Sequence, residues 1–382
     1  MVLSFLKPCY ELSLPAYFLV GLGAPLLWSG SSVYISRCAM LRSQALHEPV
    51  EASTGFLNGY FFSLFHMNGF IGLILSAVIL SFTGKDSNNI LFIVLSVIGS
   101  IGAFIITFTP SLETTEAAAP LLQINGETTQ GITTNATEIS IPNPPEVPEK
   151  PTESASILHT LKLSFSDLRL TLFIPAIFYN GVSLAFLLGD VSKFVATRTL
   201  GLNVTGYVLA TYYLLNTLLT YLMGKIAAKP SVRKYSLLFA CFAHFCFLAL
   251  LQWGSFTRHF EYHGDEETKY GTPSTGEYIR VFLVAVLFSL GDNIFQSSVP
   301  ALLQALFKSK AEDSDAAMAA VKLFQSLGMA LQFVLGVVAN EGMGLRLGIL
   351  VSLLSITTVS TFAASQRYLS ASTHEKLIDE PA

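Results

Sequence analysis

The sequence predicts an all-α, polytopic membrane protein, and its composition and its long apolar runs are separate reasons for this. Of the 382 residues, 52% are hydrophobic and only 13% are charged, whereas soluble domains carry about 25% charged residues. Long apolar runs without period-two alternation are typical of membrane helices, because backbone amides in lipid must pair within their own segment. We therefore expect a helix bundle with the lipid bilayer as its main partner.

Nine segments are apolar over about 20 residues, the length that crosses the hydrocarbon core. The clearest, 90–109, has no charged residue, whereas the least clear, 316–339, contains Lys322. The predicted spans are 12–35, 55–82, 90–109, 170–189, 205–224, 236–254, 279–300, 316–339 and 345–364. In the second span, Gly55 and Gly59 are four apart and predict a close helix contact, because small residues let helix backbones approach in lipid.

These spans divide the chain into four regions. Residues 1–109 form a partial N-terminal half with three helices, and residues 170–365 form a C-terminal half with six. Between them, 110–169 is rich in Pro and Thr and is expected to be a flexible cytosolic loop, because it cannot bury enough apolar area to order itself. Residues 366–382 are expected to be a polar cytosolic tail.

The distribution of Lys and Arg predicts the orientation, since cytoplasmic loops are enriched in both. Counted over alternate loops, one side holds 13 basic residues and the other holds 8. The richer side includes the proline-rich loop and the C-terminus, so both are predicted to be cytosolic and the N-terminus to be outside. The sequence does not distinguish the plasma membrane from an endomembrane.

Composition and motifs argue against several functional classes. The net charge of −4 provides no basic footprint for nucleic acid. Four scattered cysteines do not suggest a disulfide framework, and no Cys–His spacing suggests zinc. Because the phosphate-binding loops, nucleophile elbows and metal-ligand clusters of enzymes are missing from the sequence, we expect neither an enzyme nor a cofactor.

The best candidate for a functional site is Asp292 in the seventh span, with Asn293 and Gln296 beside it. An ionisable side chain at a helix centre costs about 2.5–3.5 kcal/mol on insertion scales, so a role is expected by default. Spacings of three and four residues place Gln296 on a face shared with both neighbours. The site is interpreted either as a proton or cation site or as interhelical glue.

Other polar residues lie within the spans or at their ends. Asp190 and Lys193 are predicted to form a gate or substrate-access pair, or alternatively an exposed interfacial pair of little energetic value. His66 and His244 either titrate near neutral pH or bond a neighbour. Lys322 is expected to snorkel toward a helix end.

Two glycosylation sequons begin at Asn135 and Asn203. Asn135 is predicted to be cytosolic, and Asn203 lies almost at a helix start, where a transferase has poor access. Asn203 is a weak candidate acceptor, and the expectation is that neither residue carries sugar.

Five motifs resemble, in order, membrane helices of the Unc-93-like family of the major facilitator superfamily. They are residues 21–29, 56–62, 174–190, 289–296 and 317–328, which are similar to the family's fourth, fifth, seventh, tenth and eleventh helices. The resemblance implies that the helix with Asp292 lines a central cavity. Asn180 and Gln325 lie in two of the other motifs, and they are further candidate polar residues of that cavity.

The resemblance also implies a truncation and a function. The superfamily has twelve helices in two halves, and the likeness begins at the fourth, so three N-terminal helices are expected to be missing. The family's members regulate a potassium channel or escort innate immune receptors. A regulatory role in ion homeostasis or receptor trafficking, with a channel or receptor as partner, is therefore implied. The alternative is a secondary transporter of a small solute or ion, whose substrate the sequence does not name.

Overall fold

The computed structural model describes residues 9–82, 87–108, 157–226, 230–263, 266–307, 310–338 and 343–369. Within these ranges the chain is almost wholly helical, with one short hairpin. The helices are α1 (Tyr10–Leu46), α2 (Val50–Phe82), α3 (Ser87–Ile106), α4 (Ile157–Ser166), α5 (Leu168–Thr171), α6 (Ile174–Phe186), α7 (Leu202–Ile226), α8 (Pro230–Trp253), α9 (Thr275–Leu306), α10 (Ala311–Val338) and α11 (Met343–Ala364). The hairpin pairs β1 (Phe260–His263) antiparallel to β2 (Glu266–Lys269).

The prediction of an all-α polytopic membrane protein is confirmed. Each predicted span falls on a helix, and seven helical stretches of the described chain are long and apolar enough to cross a membrane. Stretches within α1 and α7 are not among the seven. The tyrosines, threonines and asparagine of α7 account for its lower hydropathy. The exact number of spans, nine, stays a prediction.

Two helices run well beyond their predicted ends. After α6, the helix continues as a π-helical segment, Leu187–Thr197, and a last turn, Arg198–Leu200. The predicted span ends at Gly189, near the start of this segment, because charged residues follow, yet several side chains of the segment are buried in the bundle. α1 likewise continues to Leu46, where Arg42 pairs with Glu48.

The predicted flexible loop, 110–169, falls mostly outside the described residues, and there it stays a prediction. Its last part is helical: α4 covers Ile157–Ser166 and α5 begins at Leu168. The proline content that predicts flexibility ends before α4, whose face with Leu163 and Ser164 is buried. α4 packs on α10.

The hydrophobic core lies among α6 to α11 and includes the fully buried rings of Phe186, Phe247 and Phe288. Helices α1 and α2 lie against one side of this core, with α2 along α7 and α1 in contact with both α2 and α10. α3 packs on α2 and exposes a row of large apolar side chains, among them Val97 and Phe104. A lipid environment solvates such faces directly.

Glycines allow two close helix contacts. A Cβ atom on Gly59 would lie 2.5 Å from Gly224 Cα, so α2 and α7 meet backbone to backbone. This confirms the close contact predicted from Gly55 and Gly59. A Cβ on Gly181 would likewise collide with the backbone oxygen of Gln325, which brings α6 against α10.

Candidate functional site

Asp292 lies within α9 and is completely buried. Its Oδ1 accepts a hydrogen bond from Asn180 Nδ2 at 2.7 Å. Its Oδ2 accepts hydrogen bonds from the Tyr212 hydroxyl and from Gln296 Nε2, each at 2.8 Å. Since Asn180 belongs to α6 and Tyr212 to α7, one carboxylate joins three helices. Hydrogen bonds to an ionised acceptor are roughly twice as strong as neutral ones.

The helix that carries Asp292 starts with a capping box. Ser274 and Glu277 form a capping box, in which the glutamate accepts the Ser274 N–H at 2.8 Å. His259, just before β1, bonds the same glutamate at 3.0 Å. Such caps stabilise a helix by about 0.5–2 kcal/mol. From this start, Asp292 and Gln296 lie four residues apart on one face, as the sequence predicts.

Asn293 does not join the hydrogen bonds around Asp292. Its amide donates to the carbonyl of Leu290 at 3.1 Å and to that of Ser289, and its side chain lines a groove between α7 and α8. Neighbouring helix positions are about 100° apart, so Asn293 faces a different surface from Asp292. The expectation that Asn293 supplies a polar atom beside Asp292 is therefore wrong in this structure.

Asn180 and Gln325 connect Asp292 to a lysine. Lys322 Nζ donates to Gln325 Oε1 at 3.3 Å, and Gln325 Nε2 donates to Asn180 Oδ1 at 2.8 Å. Asn180 then donates to Asp292. Each amide accepts on the lysine side and donates on the aspartate side, so the two amide dipoles point the same way and reinforce each other. We call this sequence, Lys322–Gln325–Asn180–Asp292, the amide chain.

The lysine end of the amide chain contacts the N-terminal helices. Lys322 Nζ lies 4.5 Å from the centre of the Trp28 ring in α1 and 5.3 Å from that of Phe62 in α2. Cation–π contacts contribute about 0.5–2 kcal/mol, depending on how far the cation is desolvated. The ammonium group thus turns toward these rings, contrary to the expectation that Lys322 snorkels to a helix end.

Asp190 forms a second buried site, in the π-helical segment. Its carboxylate accepts hydrogen bonds from Arg346 of α11, in a buried ion pair, and from Gln332 Nε2 of α10 at 2.5 Å. Arg346 also donates to the carbonyl of Gly336 at 3.2 Å. Asp190 is 6% exposed and Arg346 is 1% exposed. The site therefore joins three helices away from the amide chain.

The expected pairing of Asp190 with Lys193 is wrong. Lys193 is exposed, and its ammonium group lies 5.2 Å from the ring centre of Phe194. Lys193 follows Asp190 by three positions in a π-helical segment. Asp190 instead points into the bundle, where it pairs with the buried Arg346. Neither the gate pair nor the interfacial pair describes this arrangement.

The two histidines within the predicted spans, His244 and His66, differ in their hydrogen bonds. His244 accepts at Nδ1 from the Tyr179 hydroxyl at 2.9 Å and donates from Nε2 to the Phe288 carbonyl at 3.1 Å, since a carbonyl only accepts. It therefore bonds its neighbours, one of the two alternatives. His66 is 1% exposed and lies beside the Tyr212 ring, but neither of its nitrogens has a hydrogen-bond partner among the described residues.

Asn203 is the second residue of α7 and is exposed, in line with its predicted place at a helix start. The threonine of its sequon, Thr205, is buried and donates to the Gly201 carbonyl at 3.0 Å. Whether Asn203 carries sugar stays a prediction. Asn135 lies outside the described residues.

Tyr212 and Arg346 belong to these two sites, but the sequence patterns described above identify neither residue. Tyr212 sits in a span with several aromatic residues, so its hydroxyl does not stand out. Arg346 is counted among the loop residues of the outer side, because it lies at the predicted start of a span. A signal for Arg346 was present, since a cation next to an apolar run needs a buried anion if the helix begins earlier.

Comparisons with known proteins agree with this architecture. The family model of the Major Facilitator Superfamily matches residues 1–333. UNC93-like protein 3 of Arabidopsis thaliana is 25% identical over 87% of this chain, which spans 64% of that protein's length. Protein unc-93 homolog A of Xenopus laevis is 24% identical to this chain, and the match covers 98% of this chain and 77% of the Xenopus protein. The human protein of the same name is 24% identical over 94% of this chain and 74% of its own length.

Proposed function

We propose a function from one premise: this chain belongs to the Major Facilitator Superfamily, as an Unc-93-like protein. From it we infer that the protein is a non-enzymatic regulator of other membrane proteins, acting in ion homeostasis through a channel or in the trafficking of a receptor. The observation that carries this proposal is the complete burial of Asp292 and its three hydrogen bonds from protein side chains.

A transport site has to exchange its partners for a substrate. Asp292 is fully buried, and all three of its hydrogen bonds come from protein side chains on three helices. Removing a donor from an ionised acceptor costs about 1.5–3 kcal/mol for each bond. A carboxylate held in this way favours a fixed scaffold over a site that opens and closes.

The amide chain supports the same proposal. It runs from Asp292 in the C-terminal helices to Lys322, whose ammonium group packs on the Trp28 and Phe62 rings of the N-terminal helices. Alternating access requires one group of helices to rock against the other around a central site. Here that motion would separate Lys322 from the rings or break the amide chain. A partner protein, by contrast, needs only a stable surface.

A secondary transporter remains the second candidate, because the Asp292 carboxylate is linked through the amide chain to an ammonium group that packs on the N-terminal helices. In that case Asp292 would release its hydrogen bonds to bind a proton or a cation, and the amide chain would break and re-form in each cycle. The chemical class of a solute does not follow from these residues.

One substitution separates the two candidates. The purified chain and its Asp292→Asn variant are reconstituted in liposomes and tested for proton flux and for flux of monovalent cations. The same two chains are expressed in cells, and the membrane proteins that co-purify with them are quantified. Tyr213→Phe, beside Tyr212 but outside the hydrogen bonds of Asp292 given above, serves as the matched control.

If the protein is a regulator, we expect no saturable flux of protons or monovalent cations from the wild-type chain. We also expect an unchanged set of co-purified membrane proteins for Asp292→Asn, and a lower surface abundance or current of one of them when the chain is depleted. Saturable flux in the wild type that Asp292→Asn abolishes and Tyr213→Phe retains would overturn the proposal and establish the transporter.

A further inference from the structure

An open apolar groove runs between α7 and α8, outside the amide chain. Both helices pack along α9 but make little contact with each other, and this leaves the groove between them. Its volume is about 430 Å³, within the range of about 300–1,000 Å³ that is typical of ligand pockets. Its lining consists mainly of apolar side chains, among them Leu222, Met223, Val232 and Phe239.

The lining places the groove at one end of the two helices. Leu222 and Met223 lie in the last turns of α7, which ends at Ile226, and Val232 lies in the first turn of α8, which begins at Pro230. The groove therefore starts at the α7–α8 turn and runs into the adjoining half of the helix bundle. Leu222 and Phe239 are about half exposed, so the groove is open to the surroundings of the bundle.

The chain around this turn is strongly basic. Lys225 is in the last turn of α7, and Arg233 and Lys234 are in the first turns of α8. Between Asp190 and Glu261 the sequence contains no acidic residue. Lys225 lies 4.3 Å from the ring centre of Tyr221, which fixes its ammonium group near the end of α7. An apolar groove that begins at a basic stretch of the chain matches a molecule with an apolar chain and an anionic head.

We propose that the groove between α7 and α8 binds an anionic phospholipid, with one acyl chain in the groove and its phosphate at the end of the groove where α7 carries Lys225 and α8 carries Arg233 and Lys234. The inference is independent of the proposed function. Membranes concentrate anionic lipids in the cytoplasmic leaflet, where each nearby Lys or Arg adds about 1 kcal/mol of attraction. The basic-residue count predicts this side of the bundle to be cytosolic, which is the leaflet that carries such lipids.

The test compares two lipids with the same acyl chains. The full chain is purified in detergent with equal amounts of dioleoyl phosphatidylglycerol and dioleoyl phosphatidylcholine, and the retained lipids are counted by native mass spectrometry. Glycerol phosphate, which has the anionic group without the chains, is added in a separate arm as a competitor. The proposal expects phosphatidylglycerol to be retained in preference, and glycerol phosphate not to displace it at equal concentration.

Two variants locate the site. Arg233→Gln/Lys234→Gln should weaken phosphatidylglycerol retention roughly five- to thirtyfold, as the loss of two such attractions implies. Lys162→Gln/Arg367→Gln removes the same charge from residues outside this turn and should leave retention unchanged. Val232→Trp should reduce retention of both lipids by filling the mouth of the groove.

Two results would overturn the proposal. One is equal retention of phosphatidylglycerol and phosphatidylcholine by the wild-type chain. The other is an equal loss of phosphatidylglycerol in the two double variants, which would mean that overall charge, and not this groove, attracts the lipid. If Val232→Trp fails to fold, the comparison of the two charge variants still decides the outcome.

Discussion

Asp190 and Asp292 are both buried among the C-terminal helices, but different partners stabilise them. Asp190 accepts hydrogen bonds from the Arg346 guanidinium and from Gln332, so its charge is cancelled where it lies. Asp292 accepts three hydrogen bonds from neutral side chains, and the amide chain links it to the ammonium group of Lys322. The first arrangement depends on one partner, whereas the second divides the task among several.

This difference predicts which site loses more stability when one of its partners is removed. Removing one member of a buried ion pair leaves a bare charge, which is strongly destabilising. Removing one of several neutral donors leaves the remaining hydrogen bonds in place. We therefore expect a single substitution to lower the free energy of unfolding more at the Asp190 site than at the Asp292 site.

The largest effect is expected for Arg346→Met. It leaves the Asp190 carboxylate buried without its cation, which should lower the free energy of unfolding by about 3–5 kcal/mol. The measurement is the thermal unfolding of the purified chain in detergent. Lys193→Gln, three residues from Asp190 but exposed, is the control and should change stability by less than about 0.5 kcal/mol.

The double variant Asp190→Leu/Arg346→Met sharpens this prediction. Because it removes both charges together, it should be more stable than Arg346→Met alone. Full recovery is not expected, since Gln332 loses its acceptor. A double variant less stable than Arg346→Met would show that the ion pair is not the origin of the effect.

A smaller effect is expected for Asp292→Asn. The amide keeps the shape of the side chain and still accepts hydrogen bonds at its oxygen, but its NH₂ group faces one or more of the three donors. The loss should be about 1.5–3 kcal/mol, the range for a hydrogen bond to a charged group. The same unfolding assay measures it, and a loss as large as that of Arg346→Met would remove the proposed difference between the two sites.

Tyr212→Phe should have an effect at or below the lower end of that range. It removes one donor to Asp292 Oδ2 and leaves those from Asn180 and Gln296. We expect a loss of about 1.5 kcal/mol. Tyr213→Phe, at the next position of α7, should be nearly neutral. Equal losses in the two variants would mean that packing of the tyrosine rings, and not the hydrogen bond, is what matters.

The sequence predicts one of these sites better than the other, for a physical reason. Asp292 and Gln296 lie four residues apart on one helix, so helical periodicity places them together without knowledge of the fold. Asp190 and Arg346 are 156 residues apart, and only the packing of α11 against the extended α6 brings them together. Local spacing instead suggested Lys193, which lies close in sequence but points away from Asp190.

The same distinction applies to the fold. Hydropathy finds the helices, because the requirement for lipid solvation acts on each segment separately. It does not find the continuation of α6 to Leu200, because the polar residues there are buried through contacts with distant helices. The partners of Lys322 were missed for this reason too, since Trp28 and Phe62 belong to helices far away in sequence.

A surface pair isolates the effect of burial and gives the smallest expected change. Asp167, before α5, caps that helix by accepting the Arg169 N–H at 2.8 Å and pairs with the Arg169 guanidinium at 2.7 Å. These hydrogen bonds hold the pKa of the Asp167 carboxyl below its usual value. Both side chains are partly exposed, so the pair should contribute no more than about 1 kcal/mol.

The sign of this contribution follows from the lowered pKa. It is fully present above the pKa of Asp in the unfolded chain, about 3.9, and is lost as the pH falls through the lower pKa of the folded chain. Asp167→Asn keeps a residue that also caps helices and so removes only the charge. Thermal unfolding of both chains from pH 7 down to about pH 3 should show a small wild-type advantage that shrinks toward acid. A stability difference between the two chains that grows toward acid would contradict this reasoning. A difference as large as the effect of Arg346→Met would show that burial is not what makes the Asp190 pair strong.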